Sequence, residues 1–162
     1  MSEHVYENVI DKSTWGPGPW QSEPDKVQWT DPETALPCLA IRGPAGSWCG
    51  YVGVSNNHPV FEKDYDDVDV HVHGGLTYAD HCQTGQPESH AICHVPEPGQ
   101  PDNVWWLGFD CAHAFDLIPA FTAMLPTIGE LLRAEYRTLD YVRGETASLA
   151  RQLAVLKVSS GS

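Results

Sequence analysis

The chain has 162 residues, of which 41% are hydrophobic and 19% are charged, and its formal net charge is -13. The apolar content excludes wholesale disorder, and the length suits one domain that buries about 70% of its unfolded surface. The negative charge excludes nucleic-acid binding through a basic surface, and no apolar run is long enough to cross a membrane. A metal cation, a basic protein partner or a small-molecule substrate remains compatible with it.

The first 35 residues are rich in Pro, Gly and Trp, and we expect an irregular segment that packs on a single domain spanning 36–162. Trp15 and Trp20 flank two Gly-Pro steps, which disfavour regular structure. Their indoles are expected to pack on the domain, and a binding surface is the alternative.

Four strands are predicted in the middle of the chain. Residues 36–42 and 47–54 are apolar runs joined by a Gly- and Pro-containing turn, which indicates a hairpin. Residues 67–73, DVDVHVH, alternate strictly between valines and polar side chains, so this is the clearest strand. A long polar loop is expected over 80–103, followed by a buried strand over 103–110 and a turn or short helix.

The C-terminal part is predicted to be one long amphipathic helix that starts near Pro126 and Thr127. Apolar residues recur there every three or four positions, at Leu132, Leu139, Val142, Leu149, Leu153 and Leu156. Such a helix would lie on the sheet, and it would also permit a homodimer. The predicted fold is α+β, a small and mostly antiparallel sheet with a long C-terminal amphipathic helix.

The negative charge is local. Residues 64–132 contain 11 of the 22 acidic residues and six of the eight histidines, but no Lys or Arg. The rest of the chain is close to neutral, with 11 acidic and 9 basic residues. Such a segment needs another source of positive charge, and bound metal is one, whereas solvent exposure is the alternative.

The cysteines predict free thiols. Five is an odd number, and the acidic N-terminus does not resemble a signal peptide, so the reducing cytosol is expected and no disulfide framework is required. The run 81–94 offers further side chains to a structural zinc, although their spacing is irregular and a surface loop is the alternative. These side chains are His81, Cys82, His90, Cys93 and His94.

The first candidate site is 71–78, HVHGGLTY, at the end of a predicted strand. Two imidazoles two residues apart face the same side and present an H-x-H pair to one metal. The Gly-Gly step permits a tight turn whose amides cradle an oxyanion or phosphate. The candidates are His71 and His73 as metal ligands, Asp69 as a catalytic base, and Gly74, Gly75, Thr77 and Tyr78 as substrate-binding residues.

The second candidate site is 108–116, GFDCAHAFD, where Asp110, His113 and Asp116 are spaced by three residues. If this segment turns helically, all three lie on one face at the end of a buried strand. Helix capping by Asp110, with His113 on the surface, is the structural alternative. Cys111 is a candidate nucleophile activated by His73 or His113, and a buried inert thiol is its alternative.

The motifs HGGLTY and WWLGFDCAH, with GYVGVSNNHPVFEKDYDD before them and YRTLDYVRGETASLARQLA after them, resemble a family of small phage and bacterial proteins. The resemblance covers the chain from about residue 48 to the end. It implies a phage or bacterial origin and a cytoplasmic location, in the host cytoplasm if the protein is phage-encoded. It implies no catalytic role for any residue.

Two functions follow from these patterns. The first is a small metal-dependent hydrolase acting on a phosphoester or amide-like bond. Its divalent metal, zinc first, is held by His73, Asp110 and His113, with His71 or Asp116 completing the shell and Asp116 or Asp69 as general base. The alternative is a phage-encoded binding or inhibitor protein whose acidic surface engages a basic partner, with Trp15, Trp20 and Trp29 as anchors.

Overall fold

The computed structural model describes residues 3–100, 103–113, 116–124 and 134–160. Six strands form one antiparallel sheet in the order β1-β2-β3-β4-β6-β5. The strands are β1 His4–Tyr6, β2 Lys26–Thr30, β3 Pro37–Arg42, β4 Trp48–Ser55, β5 Tyr78–His81 and β6 Val104–Asp110, and one α-helix, α1, spans Leu139–Ser160. Short 3-10 helices span Pro19–Ser22, Tyr65–Asp67 and Pro119–Met124. This architecture confirms the predicted α+β fold.

Helix α1 covers one face of the sheet. Its buried side chains pack against alternate residues of the central strands, and Val142, Leu149, Ala150 and Leu153 are fully buried there. Gly50 lies beneath the helix, where an added Cβ would overlap Thr146 and Phe109, so this glycine lets the helix approach the sheet closely. Among the helices in the described ranges, none has the length and apolar character that crossing a membrane requires.

The loop after β5 covers the other face. In its described residues, 82–100 and 103, it contains no regular element; the predicted loop began at residue 80, but Asp80 and His81 belong to β5. It packs on a second apolar cluster of the sheet, formed by Leu39, Ile41, Tyr51, Val104 and Trp106. The domain therefore has three layers, with the helix, the sheet and an irregular loop stacked in that order.

A buried lysine holds this loop on the sheet. The Lys26 side chain is fully buried, and its Nζ donates to the carbonyl oxygens of Glu88, Ala91 and Cys93 at 2.6, 2.8 and 3.1 Å. Burial lowers the pKa of Lys26 to about 8, so the ammonium is retained at neutral pH. The three N–H groups of the ammonium pair with the three carbonyl oxygens. These buried groups therefore do not need water as a hydrogen-bonding partner.

Two of the five cysteines form a disulfide, Cys82–Cys93, so the expectation of free thiols is wrong for this pair. Cys38, Cys49 and Cys111 are free. The disulfide takes both sulfurs that the sequence offered to a structural zinc in this loop. The histidines of the loop also separate, because His81 packs on Trp105 and His94 packs on Trp106, whose rings lie on opposite faces of the sheet.

The strand predicted at 67–73 is not part of the sheet. Asp67 ends a 3-10 helix, and the backbone after it bonds to side chains of α1: Gln152 pairs with both the N–H and the carbonyl of His71 at 2.8 Å, and Glu145 accepts from the His73 amide at 2.8 Å. The alternation survives, since the valines face the core while Asp69 and His71 are exposed. The pattern thus predicts the facing of the side chains but not the hydrogen-bonding partner.

The N-terminal segment supplies two strands, β1 and β2, so the prediction of irregular structure over 1–35 is wrong for these residues. Trp15 and Trp20 lie between the two strands and are each 5% exposed, and Trp29 on β2 is 6% exposed. The indoles pack on the domain, as expected, and do not stand out as anchors on a surface.

Helix α1 begins at Leu139, well after the predicted start. The Thr138 hydroxyl accepts from the Tyr141 amide at 3.2 Å, and a Glu23 carboxylate oxygen accepts from the Leu139 amide at 2.8 Å, so two side chains cap the first turn. The described residues before it, 134–138, are not helical. Pro126, Thr127 and Leu132 lie outside the described residues.

The first prediction concerns the disulfide. Replacing both Cys82 and Cys93 by Ser should lower the free energy of unfolding by about 3 kcal/mol, because the bond closes a loop with a sequence separation of 11 in the unfolded chain. Urea denaturation followed by tryptophan fluorescence measures this loss. Dithiothreitol should reproduce the loss in the wild type and leave the double variant unchanged; a wild type insensitive to reductant would contradict the assignment.

The second prediction concerns Lys26. Lys26→Met keeps an apolar chain of similar length but removes the donor from three buried carbonyls, so we expect destabilisation of about 3 kcal/mol or more. Amide hydrogen exchange should also become faster in residues 83–95. The matched control is Lys63→Met, since Lys63 is exposed, and it should change neither quantity. Equal exchange in both variants would show that Lys26 does not hold the loop.

Candidate functional site

Four predicted residues meet beyond the C-terminal end of β6, and we call them the His–Asp cluster: His73, Asp110, His113 and Asp116. His73 ends the segment that runs along α1, and Asp110 is the last residue of β6. His113 and Asp116 follow in the turn after that strand. The cluster thus brings together residues of the two candidate motifs, which lie far apart in the sequence.

The Gly-Gly step makes this meeting sterically possible. Gly74 and Gly75 have φ of +68° and +80°, the left-handed region that favours glycine. A Cβ on Gly74 would overlap the imidazole of His113, so the ring lies directly against the turn. The Gly75 amide donates to the Val72 carbonyl at 2.9 Å and closes the turn. The Gly-Gly step therefore lets the turn lie close to the His113 ring. The Gly75 amide is already hydrogen-bonded and is not free to bind an oxyanion.

The described residues directly after β6, 111–113 and 116, form hydrogen-bonded turns, which is the first of the two predicted alternatives, a turn or a short helix. Asp110 Oδ1 accepts from the Ala112 amide at 3.1 Å, and Asp116 Oδ2 accepts from the His113 amide at 3.0 Å. The Asp116 amide in turn donates to the His113 carbonyl at 3.0 Å. The three side chains are brought together by short polar side chains bonding to the local backbone, not by helical spacing.

His73 lies between a carboxylate and a phenol. Its Nε2 is 2.8 Å from Asp116 Oδ2, and its Nδ1 is 2.8 Å from the Tyr141 hydroxyl. A carboxylate only accepts, so Nε2 carries the proton; in the neutral ring Nδ1 then accepts from Tyr141. The three side chains form one directed chain of hydrogen bonds from Tyr141 through His73 to Asp116.

Asp116 is the buried anchor of the cluster, with a side chain only 1% exposed. Arg137 Nε donates to its Oδ1 at 2.9 Å. Burial by itself would raise the pKa of Asp116, but the hydrogen bonds from His73, Arg137 and the His113 amide outweigh it and hold the pKa below its usual value. The carboxylate is therefore ionised, which suits a ligand or an orienting group better than a proton acceptor.

Asp110 and His113 form the open half of the cluster. His113 Nε2 is 3.2 Å from Asp110 Oδ1, and the two side chains are 36% and 31% exposed. The Thr77 hydroxyl donates to Asp110 Oδ2 at 3.0 Å and orients it. The His73 and His113 ring centroids are 6.0 Å apart, so the two His–Asp pairs are adjacent.

Several predicted site residues lie elsewhere. Asp69 and His71 are exposed, and no hydrogen bond or ion pair of the His–Asp cluster involves them in the described part of the chain. Tyr78 packs edge-on against Tyr51, on the face opposite α1. Cys111 is buried, and burial, together with the charge of Asp116, raises the pKa of its thiol, so it stays protonated at neutral pH.

Sequence reasoning missed Arg137 and Tyr141, which orient the cluster from the segment before α1 and from its first turn. Arg137 also lies over the Tyr141 ring, with 5.0 Å between the guanidinium carbon and the ring centroid. The sequence contained one indication of Arg137. A buried carboxylate in a segment without Lys or Arg needs a cation from another part of the chain, and Arg137 is the first arginine described after that segment. No spacing rule connects residues so far apart.

The cluster is not preset as a metal centre. Within the described residues, no group of three or more His, Cys, Asp or Glu side chains is arranged to hold a metal ion. Comparison with models of known protein families, with curated proteins and with solved structures finds no match.

The third prediction concerns pH. The folded-state pKa of Asp116 is lower than its unfolded value, so its stabilising contribution is present above about pH 4 and is lost as pH falls through the folded-state value. Asp116→Asn should therefore lower the free energy of unfolding by about 2 kcal/mol at pH 7 and by clearly less at pH 2.5. Urea denaturation at both pH values measures this difference. The control is Asp69→Asn at an exposed site, and equal losses at both pH values would contradict the assignment.

Proposed function

We propose that the protein is a small metal-dependent hydrolase whose divalent metal, zinc first, binds at the His–Asp cluster. One observation carries the proposal. Two imidazoles and two carboxylates, from segments as much as 43 residues apart, meet with ring centroids separated by 6.0 Å. Nitrogen and carboxylate oxygen are ligands that zinc accepts, and each metal–ligand bond needs only about 2 Å.

The partners of the cluster support this proposal. Histidines that bind metals usually bond through the second ring nitrogen to an orienting group, and His73 meets Tyr141 in this way. Asp116 is held by Arg137, and Asp110 is held by Thr77. Three of the four side chains therefore already have the kind of support that fixes a ligand's orientation.

A catalytic zinc keeps one position open for water, so three protein ligands are needed rather than four. We assign them to His73, His113 and Asp116, since Asp116 is the ionised, buried carboxylate. Asp110 is about a third exposed and is assigned as general base. The metal would lower the pKa of its water to about 7 and polarise a phosphoester or amide-like bond.

Metal binding requires a change in the protonation of the His73 ring, and this change can be measured without an activity assay. Nε2 must lose its proton to become a ligand, and the proton then moves to Nδ1, which donates to the Tyr141 oxygen. The tautomer of His73 should therefore change from Nε2–H to Nδ1–H when zinc is added. Nitrogen-15 NMR of the imidazole measures this change directly.

The fourth prediction is the metal titration. Calorimetry with zinc should show one site per chain, and His73→Ala and His113→Ala should each weaken it by about 10-fold or more. His71→Ala is the matched control, because this exposed histidine belongs to the H-x-H motif but not to the cluster; it should bind zinc as the wild type does. Absence of zinc binding, or equal loss in all three variants, would overturn the metal site.

Activity is tested separately, with p-nitrophenyl phosphate and a p-nitroanilide amide as substrates. Zinc-dependent release of p-nitrophenol or p-nitroaniline that is lost in Asp110→Asn supports the hydrolase. Zinc binding at the cluster without hydrolysis of either bond would leave a metal-binding protein and would overturn the proposed reaction.

The alternative function, a non-enzymatic binding protein, loses its proposed anchors because all three tryptophans are buried. No described contact favours it over the hydrolase. The cytoplasmic location stays a prediction, and the Cys82–Cys93 disulfide argues against it, since such bonds persist mainly in oxidising compartments.

A further inference from the structure

We propose that the protein has a second ligand site, on the sheet face opposite α1, that binds a small, neutral and mostly apolar molecule. The site is a half-open pocket of about 650 Å³ lined by the second face of β3 and β4, the segment after β1 and the loop after β5. This volume lies within the range of small-molecule sites, about 300–1,000 Å³. The inference does not depend on the hydrolase or on its metal.

The inner surface of the pocket is mainly apolar. Ile41 and Tyr51 form the floor on the sheet, and the half-buried thiol of Cys49 lies beside them. Ile10 lines it from the N-terminal segment, and Ile92 from the loop. Apolar surface that converges from three separate segments is typical of a site that removes most of a small ligand from water.

The wall formed by the loop is held in place. All of its lining residues lie between Cys82 and Cys93, so the disulfide closes the ring of chain that contains them. Gln83 crosses this ring twice: its amide donates to the Ile92 carbonyl at 3.2 Å, and its side-chain oxygen accepts from the Ile92 amide at 3.0 Å. A wall fixed in this way loses little conformational entropy when a ligand binds.

The opposite wall is fixed just as firmly. Asp25 Oδ2 accepts from the amides of Val9 and Ile10 at 2.8 and 2.9 Å, which places the Ile10 side chain at the pocket. These hydrogen bonds tie the backbone of the N-terminal segment to β2 through the side chain of Asp25. Both walls are therefore preformed by contacts that binding does not have to break.

The charges at the pocket determine the class of ligand. Asp25 and Arg42 line it, but they pair with each other at 3.0 Å, and Lys12 contacts the same Asp25 oxygen, Oδ1, at 2.6 Å. The pocket thus contains no uncompensated charge among its described lining residues. A charged ligand would lose its hydration without gaining a partner, so the pocket favours a neutral one.

The fifth prediction uses a matched pair of fluorescent probes, N-phenyl-1-naphthylamine and its anionic relative 1-anilinonaphthalene-8-sulfonate. They share an apolar body and differ by one sulfonate. The neutral probe should bind with one site per chain and at least about 10-fold more tightly than the anion. Equal affinities, or tighter binding of the anion, would overturn the assigned ligand class.

Variants locate the binding. Ile10→Asp places a carboxylate in the pocket and should weaken the neutral probe about 10-fold, whereas Val155→Asp, at an apolar site on α1 that is 63% exposed, should not. Unchanged affinity in Ile10→Asp would place the probe elsewhere and overturn the site. Circular dichroism of both variants shows whether they are folded.

A measurement on the wild type keeps the test independent of folding. Burial raises the pKa of Cys49 to about 11, so its reaction with N-ethylmaleimide is slow but measurable at pH 9 by mass spectrometry of its peptide. A saturating neutral probe should slow this reaction at least about threefold. No protection of Cys49 would overturn the proposed position of the ligand.

Discussion

The fold depends on one buried cation, the guanidinium of Arg42 at the end of β3. Every one of its five N–H groups has an acceptor: a carboxylate oxygen of Asp25, the Gly46 carbonyl, the Tyr136 hydroxyl, a carboxylate oxygen of Glu23 and the Pro24 carbonyl, at 2.7–3.2 Å. The Trp48 ring lies 4.4 Å from its guanidinium carbon. Loss of this cation would leave the half-buried Glu23 without its guanidinium partner and the buried Asp25 with Lys12 as its remaining described cation, a cost of several kcal/mol.

The two carboxylates bound by Arg42 also position both candidate sites. Glu23, bound by Arg42, also accepts from Tyr136 and from the amide that begins α1, so it determines where the helix starts and how Arg137 and Tyr141 meet the His–Asp cluster. Asp25, bound on the other side of Arg42, places the backbone that lines the apolar pocket. The two faces of the sheet are thus organised from a single buried charge, through carboxylates that lie two residues apart.

How much the sequence predicts depends on whether the decisive contacts are local. The hairpin of β3 and β4 and strand β6 follow from turn residues and apolar runs and were predicted correctly, whereas the first two residues of the loop predicted over 80–103 belong to β5. The alternation at 67–73 is equally local, but it specifies only an extended backbone, and the hydrogen bonds that decide against a strand come from Gln152 and Glu145 on α1. The helix start was missed in part for the same reason: Thr138 is a local cap, but the second cap, Glu23, lies 116 residues away.

At the site, too, the decisive contacts come from distant parts of the chain. These contacts also show how the charge imbalance of residues 64–132 is met. The cation-free segment receives positive charge from outside: Lys26 binds its carbonyls, and Arg137 binds Asp116. Neither pairing has a spacing that a sequence pattern could reveal. Within the His–Asp cluster, the carboxylate that no described Lys or Arg contacts is Asp110, whose described contacts are Thr77, an amide and His113. Because Asp110 and His113 are also the exposed half of the cluster, positive charge from a bound metal would satisfy the one part of the network that the chain's own cations do not reach.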